Sequence, residues 1–397
     1  MQKKRILMVL DHFFPVDLRV ENEATSLISA GFKVEILSIA PYKESKSIRF
    51  KEILVHQVSV SKFTSKKMRG LAAMIPWLDI VIANNIKRLL SRTSYDVIHF
   101  HDLYTFGAAK RIKKVTSATI IGDLHENYVD VLDDYEWVKK FPNRYLVNKK
   151  KWKKKELEYL SEMDKVIVVN EGMKNKTLEK NVSEEDIVVV ENMLNTTLFD
   201  SYEIDASIIN RFNGRFNLLY IGGFISNRGL EHVIEGMSLL QNNKDIHLIL
   251  VGDGVMMSNL RSLVNTLGLD SNVHFEGWQN QDKMKSYIKV AKAGLIPFKR
   301  SEQTDNSSPN KLFQYMYYGL PIISTDCISI KNIVEKDRVG IVYESENIRA
   351  FANSVLRLYN TNDESVLFSK NAKKIVTEKY NWNLAVKEMI NMYNNLN

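Results

Sequence analysis

The sequence predicts an α/β protein with two domains, each a doubly wound parallel sheet covered by helices. The chain has 397 residues, more than one ordinary hydrophobic core supports. Short runs rich in valine and isoleucine alternate with segments of helix length, as in "RILMVLD" followed by "VENEATSLISAGF". Apolar strands that alternate with helices are typical of parallel sheets covered on both faces.

A polar break separates this alternation into two halves. The stretch "ENMLNTTLFDSYEIDASIINRFNGRF" is rich in turn-forming residues and lacks a strand period. After it the alternation resumes with "NLLYIGG" and "IHLILVGDG". We therefore expect a first domain over residues 1–200 and a second over residues 201–380.

Composition restricts the classes of protein to consider. Hydrophobic residues make up 45% and charged residues 26%, as in globular proteins. The single cysteine, Cys327, excludes an intramolecular disulfide and a cysteine-cluster metal site, and is typical of a reducing cytoplasm. The first apolar run is too short for a signal peptide, and no window approaches the roughly 20 apolar residues of a membrane span. We expect a cytoplasmic protein.

The net charge of +8 is concentrated in the first half. Two basic stretches stand out there, "KFTSKKMRG" over residues 62–70 and "NKKKWKKKELEYL" over residues 148–160. Such stretches favour anionic partners, among them phospholipid headgroups, phosphorylated substrates and nucleic acid, or simply form a solvated helix face. Without a recognition motif, nucleic acid is not an expected partner.

The segment "NSSPNKLFQYMYYGLP" predicts a helix that begins near Pro309 and ends before Gly319. Good N-cap residues precede the proline: Asn306, Ser307 and Ser308. Lys311 lies in the first turn, where the helix dipole disfavours a cation. A bound anion such as a diphosphate would resolve that conflict. The alternative is a well-capped structural helix with an exposed lysine.

Glycine-rich loops follow the strands of the second half. "YIGGFISNRG" places Gly222, Gly223 and Arg228 after one strand. "LVGDG" places Gly252, Asp253 and Gly254 after the next. Glycine lets the backbone approach a ligand closely, and arginine can chelate a phosphate. Neither loop has the G-x-G-x-x-G pattern, so each is by itself a tight turn, and only their combination indicates a ligand site.

Histidines and carboxylates follow two strands of the first half. "HFHD" gives His99, His101 and Asp102, and "GDLHEN" gives Asp123, His125 and Glu126. Strand alternation places His99 and His101 on the same face. The set could bind a metal, act as acid, base and sugar-hydroxyl ligands, or be structural. More charges follow the first strand: Asp11, Asp17, Arg19, Glu21 and Glu23.

These segments together resemble the GT-B glycosyltransferases of family 4, the glycosyl transferases group 1. The resemblance covers nearly the whole chain and rests on "FFPVDLRVENEATSLISAGFKVEIL", "DVIHFHDL", "GDLHENY", "YIGGFISNRGLEHVIEG", "LVGDG", "NVHFEGW" and "SPNKLFQYMYYGLPIIST". It implies two Rossmann-like domains that face a central cleft. It also implies that residues 381–397, with "YNWNLAVKEMINMYNNL", form a last helix that packs back on the first domain.

The resemblance also implies roles for individual residues. The second domain would bind a UDP- or GDP-linked sugar, and catalysis would fall to His125, Arg228 and Lys311. The implied donor-binding residues are Gly222, Gly223, Asp253, Gly254, Gly277, Trp278, Ser308, Pro309, Asn310, Phe313 and Gln314. The implied acceptor-side residues are Asp17, Arg19, His101, Asp102 and Glu126. The implied reaction retains the anomeric configuration and needs neither a cofactor nor a metal.

Three positions depart from the family pattern. Gly223 stands where many members have arginine, and Asn306 and Gln314 stand where they have two glutamates. Gln314 can still hydrogen-bond a ribose, although it loses the extra strength of a charged acceptor, on the order of 1 kcal/mol.

The function that we expect is transfer of a hexosyl group to a glycan or a lipid-diphosphate-linked acceptor, in surface polysaccharide or glycoconjugate synthesis. Because relatives extend lipid-linked glycans, an anionic membrane surface is a further expected partner, at the inner face of the membrane. The departures favour an alternative, a catalytically silent GT-B subunit that binds a partner glycosyltransferase or a glycan. A 2-epimerase on the same fold is another alternative, but the "NSSPNKLFQ" segment lacks the carboxylates that it would need.

Overall fold

The computed structural model describes residues 3–15, 17–61, 75–132, 138, 147–305 and 307–396. The chain forms two compact units. The first comprises Met1–Glu191 with Ala385–Asn397, and the second comprises Asn192–Leu384.

Both ends of the second unit lie a few residues from the predicted boundaries. The segment after Glu191 belongs to the second unit because Phe199 packs edge-on against Tyr202 and Tyr318, with ring centroids 5.8 and 5.7 Å apart. Trp382 also stays in the second unit, where its N–H donates to the carbonyl of Leu194 at 3.1 Å.

The first unit contains an eight-stranded sheet flanked by helices. Its strands are β1 (Arg5–Leu10), β2 (Lys33–Ala40), β3 (Lys46–Phe50), β4 (Ile53–Ser59), β5 (Val97–His101), β6 (Thr119–Leu124), β7 (Lys165–Val168) and β8 (Ile187–Val189). Its helices are α1 (Leu18–Ser29), α2 (Trp77–Leu90), α3 (Ala109–Ile112), α4 (Tyr128–Val131), α5 (Lys149–Leu160) and α6 (Glu171–Leu178), with 3₁₀ turns at Leu103–Ala108 and Glu184–Asp186. The strand order is β3-β4-β2-β1-β5-β6-β7-β8.

The first sheet is parallel as predicted except at one edge. Strand β3 runs antiparallel to β4, and the two form a hairpin whose turn contains Lys51 with a positive φ of 51°. The sequence "KSIRF" of β3 is largely exposed and polar, so it lacks the apolar run that marks the buried strands. The sheet is therefore mixed.

Helix α5 carries the second basic stretch. Trp152 and Leu160 are buried, whereas Leu157 is 47% exposed and does not belong to the apolar face. The buried face instead follows the helical spacing of Trp152, Glu156, Tyr159 and Leu160. The first basic stretch, residues 62–70, lies outside the described residues.

The second unit contains a six-stranded sheet in which every strand pair is parallel, as predicted. Its strands are β9 (Phe216–Ile221), β10 (Ile246–Val251), β11 (Val273–Gly277), β12 (Ala291–Ile296), β13 (Ile322–Thr325) and β14 (Gly340–Tyr343), in the order β11-β10-β9-β12-β13-β14. The chain's remaining helices are α7 (Thr196–Asp200), α8 (Ala206–Phe212), α9 (Leu230–Ser238), α10 (Met257–Thr266), α11 (Gln281–Val290), α12 (Glu302–Asp305), α13 (Asn310–Tyr317), α14 (Ile328–Lys336), α15 (Ile348–Asn360), α16 (Asn362–Glu378) and α17 (Trp382–Asn395), with a 3₁₀ turn at Ser226–Arg228.

Each sheet has a point at which the strand order reverses. In the first unit the reversal lies between β1 and β5, and in the second between β9 and β12. Ligands of open α/β sheets bind beyond the carboxyl ends of the strands at such points. The polar clusters predicted from the sequence follow these strands.

Spanning a membrane requires a helix that is both long and apolar. No helix among the described residues meets both requirements.

Candidate functional site

Two cations converge at the strand-order reversal of the second unit. The guanidinium carbon of Arg228 lies 4.3 Å from the ring centroid of Phe298. The ammonium of Lys311 lies 3.8 Å from the ring centroid of Tyr220 and 5.2 Å from that of Phe298. Both side chains are half-buried. The two positive charges therefore both lie against an apolar surface formed by the rings of Tyr220 and Phe298.

Neither cation is neutralised by a carboxylate of the described residues. Burial lowers the pKa of Lys311 well below its usual value, and the charge of Arg228 lowers it further. Burial also lowers the pKa of Arg228. Placing two cations together away from water is unfavourable unless an anion joins them. The arrangement is suited to a ligand with two negative charges, such as a diphosphate.

Tyr315 fixes the helix that carries Lys311. Its hydroxyl accepts from the N–H of Ile221 at 3.1 Å and donates to the carbonyl of Leu219 at 3.3 Å, both at the end of β9. Its ring packs where Gly294 has no side chain, since a Cβ there would lie 2.3 Å from the ring. Lys311 lies one helical turn before Tyr315 and is thereby held beside the end of β9.

The start of α13 differs from the prediction. The helix begins at Asn310, and Pro309 occupies the cap position in extended conformation with no side-chain hydrogen bond. The helix starts one residue later than predicted, so Pro309 occupies the cap position in place of the three candidate N-cap residues, and a proline has no side-chain donor or acceptor. The first N–H groups of α13 are consequently left without a capping side chain and can bind an anion. Asn306 lies outside the described residues, while Gly319, with φ of 69°, ends the helix as predicted.

The glycine loops of the second unit lie side by side. The N–H of Gly222 donates to the carbonyl of Val251 at 2.9 Å, and the N–H of Gly252 donates to that of Gly277 at 2.8 Å. Gly252 has φ of 145°, and a Cβ there would lie 1.9 Å from the carbonyl oxygen of Gly222. Gly222 has φ of 141°, and a Cβ there would lie 2.8 Å from the ammonium of Lys311. Glycine is thus required for the loops to meet beside the cations.

The other expected donor-side residues differ in exposure. Trp278 is 70% exposed directly after Gly277, and a Cβ at Gly223 would meet no atom within 4 Å. The carboxylate of Asp253 accepts from the N–H of Gly254 at 2.7 Å and so shapes its own loop. Phe313 and Gln314 are buried. The Phe313 ring packs against Tyr380 at 5.3 Å, which makes it a core residue.

The first unit gathers its histidines around Asp123. His101 Nδ1 lies 3.3 Å from the Asp123 carboxylate and 3.1 Å from His125 Nε2. His125 Nε2 also lies 3.1 Å from the same carboxylate. Arg19 donates to both Asp123 oxygens, at 3.1 and 3.0 Å, and to the carbonyl of Val190 at 2.8 Å. Arg19 is therefore engaged in orienting Asp123.

His125 is half-buried and Asp102 is buried beside this cluster, with His125 Nδ1 3.7 Å from the Asp102 carboxylate. Burial alone would lower the pKa of His125, but the carboxylates of Asp102 and Asp123 outweigh it and raise the pKa to about 10. Asp102 has φ of 66°, a strained conformation for a residue other than glycine. Tyr104 donates to its carboxylate at 2.8 Å. Such strain persists where the surrounding structure fixes a side chain in place.

Asp17 and Glu126 complete the expected acceptor side. Asp17 caps α1 by accepting from the N–H groups of Arg19 and Val20, and its second oxygen lies 3.2 Å from His12 Nε2. Hydrogen bonds to Asp11 and Asp17 raise the pKa of His12 to about 9 against the effect of burial. Glu126 lies half-buried directly after His125.

Several side chains of these clusters were not predicted from the sequence. Tyr220 and Phe298 belong to apolar stretches, although their position at strand ends is a usable signal. His12 follows β1 in the same way. Tyr393, whose hydroxyl lies 2.8 Å from His99 Nδ1, is 294 residues away from it, and no local pattern connects the two.

Known protein families match both units of the chain. The model for Glycosyltransferase Family 4 matches residues 17–198, and that for Glycosyl transferases group 1 matches residues 215–361. An uncharacterised glycosyltransferase of Methanocaldococcus jannaschii is 25% identical over 322 residues, which are 77% of this chain and 76% of that protein. A lipopolysaccharide 1,6-galactosyltransferase of Escherichia coli is 24% identical over 202 residues, 50% of this chain and 53% of that protein.

Solved structures agree with the fold. The Anabaena protein HepE in complex with UDP superposes with a TM-score of 0.71 over 99% of this chain and 100% of that chain, at 12% identity. The two doubly wound sheets and the matched models identify the protein as a glycosyltransferase of the GT-B fold. Within that class, the chain belongs to family 4, as the resemblance predicted.

Proposed function

We propose that the protein transfers a hexosyl group, with retention of configuration, from a UDP- or GDP-linked sugar to a glycan or lipid-linked acceptor. The observation that carries this proposal is the pair of cations Arg228 and Lys311, which lie above Tyr220 and Phe298 and pair with no carboxylate in the described part of the chain. A nucleotide diphosphate supplies the missing negative charge. The uncapped start of α13 adds backbone donors at the same place.

The transfer then proceeds through stabilisation of the leaving group. As the bond between the anomeric carbon and the diphosphate oxygen breaks, negative charge grows on that oxygen. Arg228, Lys311 and the first N–H groups of α13 stabilise this charge. The acceptor hydroxyl attacks from the same face and gives its proton to the departing phosphate oxygen. The proposed reaction needs no metal ion at the diphosphate, because these cations provide the positive charge.

Other residues position the two substrates. We assign Gln314 to the donor ribose and Trp278, with Gly277, to the nucleobase. In the first unit we assign His125 to the transferred sugar, and Asp17, Asp102 and Glu126 to the acceptor. Arg19 and His101 act through Asp123, whose carboxylate they contact.

The names of relatives support the class of acceptor. The galactosyltransferase of Escherichia coli that matches half of this chain acts, by its name, on lipopolysaccharide. The Anabaena structure contains UDP. On this basis we place the protein in the synthesis of a surface polysaccharide or glycoconjugate, with its acceptor on the cytoplasmic side.

Nucleotide binding and slow hydrolysis of the donor test the proposal. UDP and GDP are titrated by calorimetry, and a panel of UDP- and GDP-sugars is incubated without acceptor while release of nucleotide is followed. We expect one nucleotide to bind and its sugar conjugate to be hydrolysed, without added Mg²⁺. Binding without hydrolysis or transfer would favour the silent-subunit alternative, and absence of any nucleotide binding would refute the proposal.

The surface of α5 supports a proposal about location. Trp152, Tyr159 and Leu160 attach the helix to the core, while the exposed lysines project outward: Lys150, Lys151, Lys153 and Lys154. Each lysine near an anionic surface contributes on the order of 1 kcal/mol, so we propose peripheral binding to the inner face of the membrane. Co-sedimentation with anionic vesicles at low salt should exceed that with neutral vesicles. Equal, negligible binding to both would refute this location.

A further inference from the structure

Among the buried side chains of the first unit, three that lie close together have polar atoms without a hydrogen-bond partner in the described part of the chain. They are both carboxylate oxygens of Glu23, Nε2 of His99 and Nε2 of His101. Glu23 Oε1 lies 3.0 Å from Arg19 Nε, but that N–H is directed at Asp123. Glu23 and His99 are fully buried and His101 is 1% exposed. Unsatisfied atoms of this kind are rare in protein interiors and require an explanation.

These atoms lie close together because three elements meet here. His99 and His101 alternate on β5, and their ring centroids are 4.2 Å apart. Asp123 lies opposite His101 in the register of β5 with β6. Glu23 comes from α1, one turn after Arg19. One potential ligand atom from each of Glu23, His99, His101 and Asp123 lies within 4.8 Å of the other three.

We propose that Glu23, His99, His101 and Asp123 bind a divalent transition-metal ion of the zinc type. Two imidazole nitrogens with two carboxylate oxygens form a ligand set that suits zinc and cobalt. Zinc takes bonds of about 2.0–2.2 Å, so its ligand atoms stand roughly 3–4 Å apart. The four candidate ligand atoms lie within 4.8 Å of one another, so side-chain movement has to close only the excess over roughly 4 Å.

Three of the four residues also have the outer hydrogen bonds that are usual around metal ligands. Metal-binding histidines usually hydrogen-bond through the second ring nitrogen, which fixes the tautomer. Nδ1 of His99 lies 2.8 Å from the hydroxyl of Tyr393, and Nδ1 of His101 lies 3.3 Å from Asp123. Arg19 holds the Asp123 carboxylate through two hydrogen bonds.

The proposed ion is structural: it supports the cluster around Asp123 and does not itself take part in the transfer. All four ligands are buried, so the ion is closed to substrate, and it joins β5, β6 and α1. The competing explanation is a proton: burial beside Asp123 raises the pKa of Glu23, so that a neutral Glu23 would donate to Asp123. The two explanations differ in what happens when Glu23 becomes an amide.

Metal content and a spectroscopic probe distinguish them. The full chain is purified without chelators, its affinity tag is removed, and zinc is measured by mass spectrometry. After dialysis against a chelator, Co²⁺ is titrated while visible absorption between about 500 and 650 nm and the melting temperature are followed. We expect about one metal ion per chain, a Co²⁺ absorption band and an increase in melting temperature on loading.

Matched variants locate the site. Glu23→Gln and His99→Gln should each lose the bound zinc and the Co²⁺ band. Tyr393→Phe, which removes a hydroxyl behind His99, should weaken Co²⁺ affinity about tenfold. His274→Gln serves as the control, because His274 forms a comparable imidazole pair with His247, at 3.0 Å, in the second unit. It should keep the metal content of the parent chain.

Two results would overturn the proposal. One is a parent chain without zinc that gives no Co²⁺ band. The other is a Glu23→Gln variant that folds and retains the parent's metal content, which would place the metal elsewhere. If the Glu23→Gln variant does not fold, the other two variants decide. Unchanged Co²⁺ affinity in Tyr393→Phe, together with loss of metal in His274→Gln, would then place the metal outside the proposed site. None of these readouts depends on transfer activity, so the proposed function stands or fails separately.

Discussion

Replacing Lys311 by methionine should reduce activity and stabilise the ligand-free protein at the same time. Methionine keeps the length of the side chain over Tyr220 and removes the ammonium, which lies 3.8 Å from that ring. Loss of one preorganised charge at a developing oxyanion typically costs a factor of about 100–1,000 in turnover. We expect a decrease of more than about tenfold, or more than about 1.4 kcal/mol of transition-state stabilisation.

The effect on stability has the opposite sign. A half-buried cation without a carboxylate is unfavourable by roughly 1–3 kcal/mol, and its contact with the ring offsets about 0.5–2 kcal/mol of that. The net gain on removing the charge is therefore roughly 1 kcal/mol. For a unit of this size, that raises the melting temperature by about 2–4 °C.

Donor hydrolysis and thermal unfolding without nucleotide measure the two effects. Lys379→Met is the matched control, because Lys379 lies 4.5 Å from the ring centroid of Tyr380 on another part of the same unit. It should leave turnover unchanged. A Lys311→Met variant with normal turnover, or with reduced turnover and a lower melting temperature, would refute the reasoning that an anion completes this site.

Three further predictions concern other residues. Arg228→Ala should lower turnover more than tenfold, because the Arg228 guanidinium and the Lys311 ammonium both lie over the Phe298 ring. Steady-state rates measure the effect, and a near-normal rate would remove Arg228 from the site. Gln314→Glu should tighten donor binding in calorimetry or leave it unchanged, without changing the sugar used, and loss of activity in a folded variant would contradict the ribose assignment. Burial raises the pKa of Asp79 from 3.8 to about 6, so the folded state binds its proton more tightly and stability falls as pH rises through this window. Asp79→Asn should therefore be more stable than the parent at pH 8, by at most roughly 3 kcal/mol, and should gain little stability near pH 4. Urea unfolding measures both free energies of unfolding. Equal gains at the two pH values would exclude ionisation of Asp79 as the cause.

Much of the fold follows from patterns that are local in the sequence. Buried parallel strands are apolar along their whole length, and glycines mark the loops that end β9 and β10. The hairpin of β3 and β4 escaped prediction because an edge strand such as "KSIRF" faces solvent and carries no apolar signature. The buried face of α5 could not be read from its charged sequence, because exposed Leu157 and buried Leu160 are both apolar and only their contacts distinguish them.

The sites were predictable to a lesser extent. Strand ends indicated Arg228 and His125, since ligand sites of parallel sheets lie there, whereas Lys311 was indicated by its place in the first turn of a predicted helix. The start of α13 could not be read from capping preferences, because a shift of one residue moves Pro309 from the helix to the cap. The pairing of Tyr393 with His99 depends on the return of the chain's last helix, which no local pattern determines.

The cation pair also has a consequence for the end of the catalytic cycle. In the proposed reaction, the nucleotide product still carries the diphosphate that would neutralise Arg228 and Lys311, while the sugar has left. When that product dissociates, Arg228 and Lys311 again lie together without an anion between them. Product dissociation is therefore the step with the unfavourable free energy in this cycle. We therefore expect strong inhibition by the free nucleoside diphosphate, competitive with the sugar donor. A phosphatase that removes this product should accelerate turnover in the steady state.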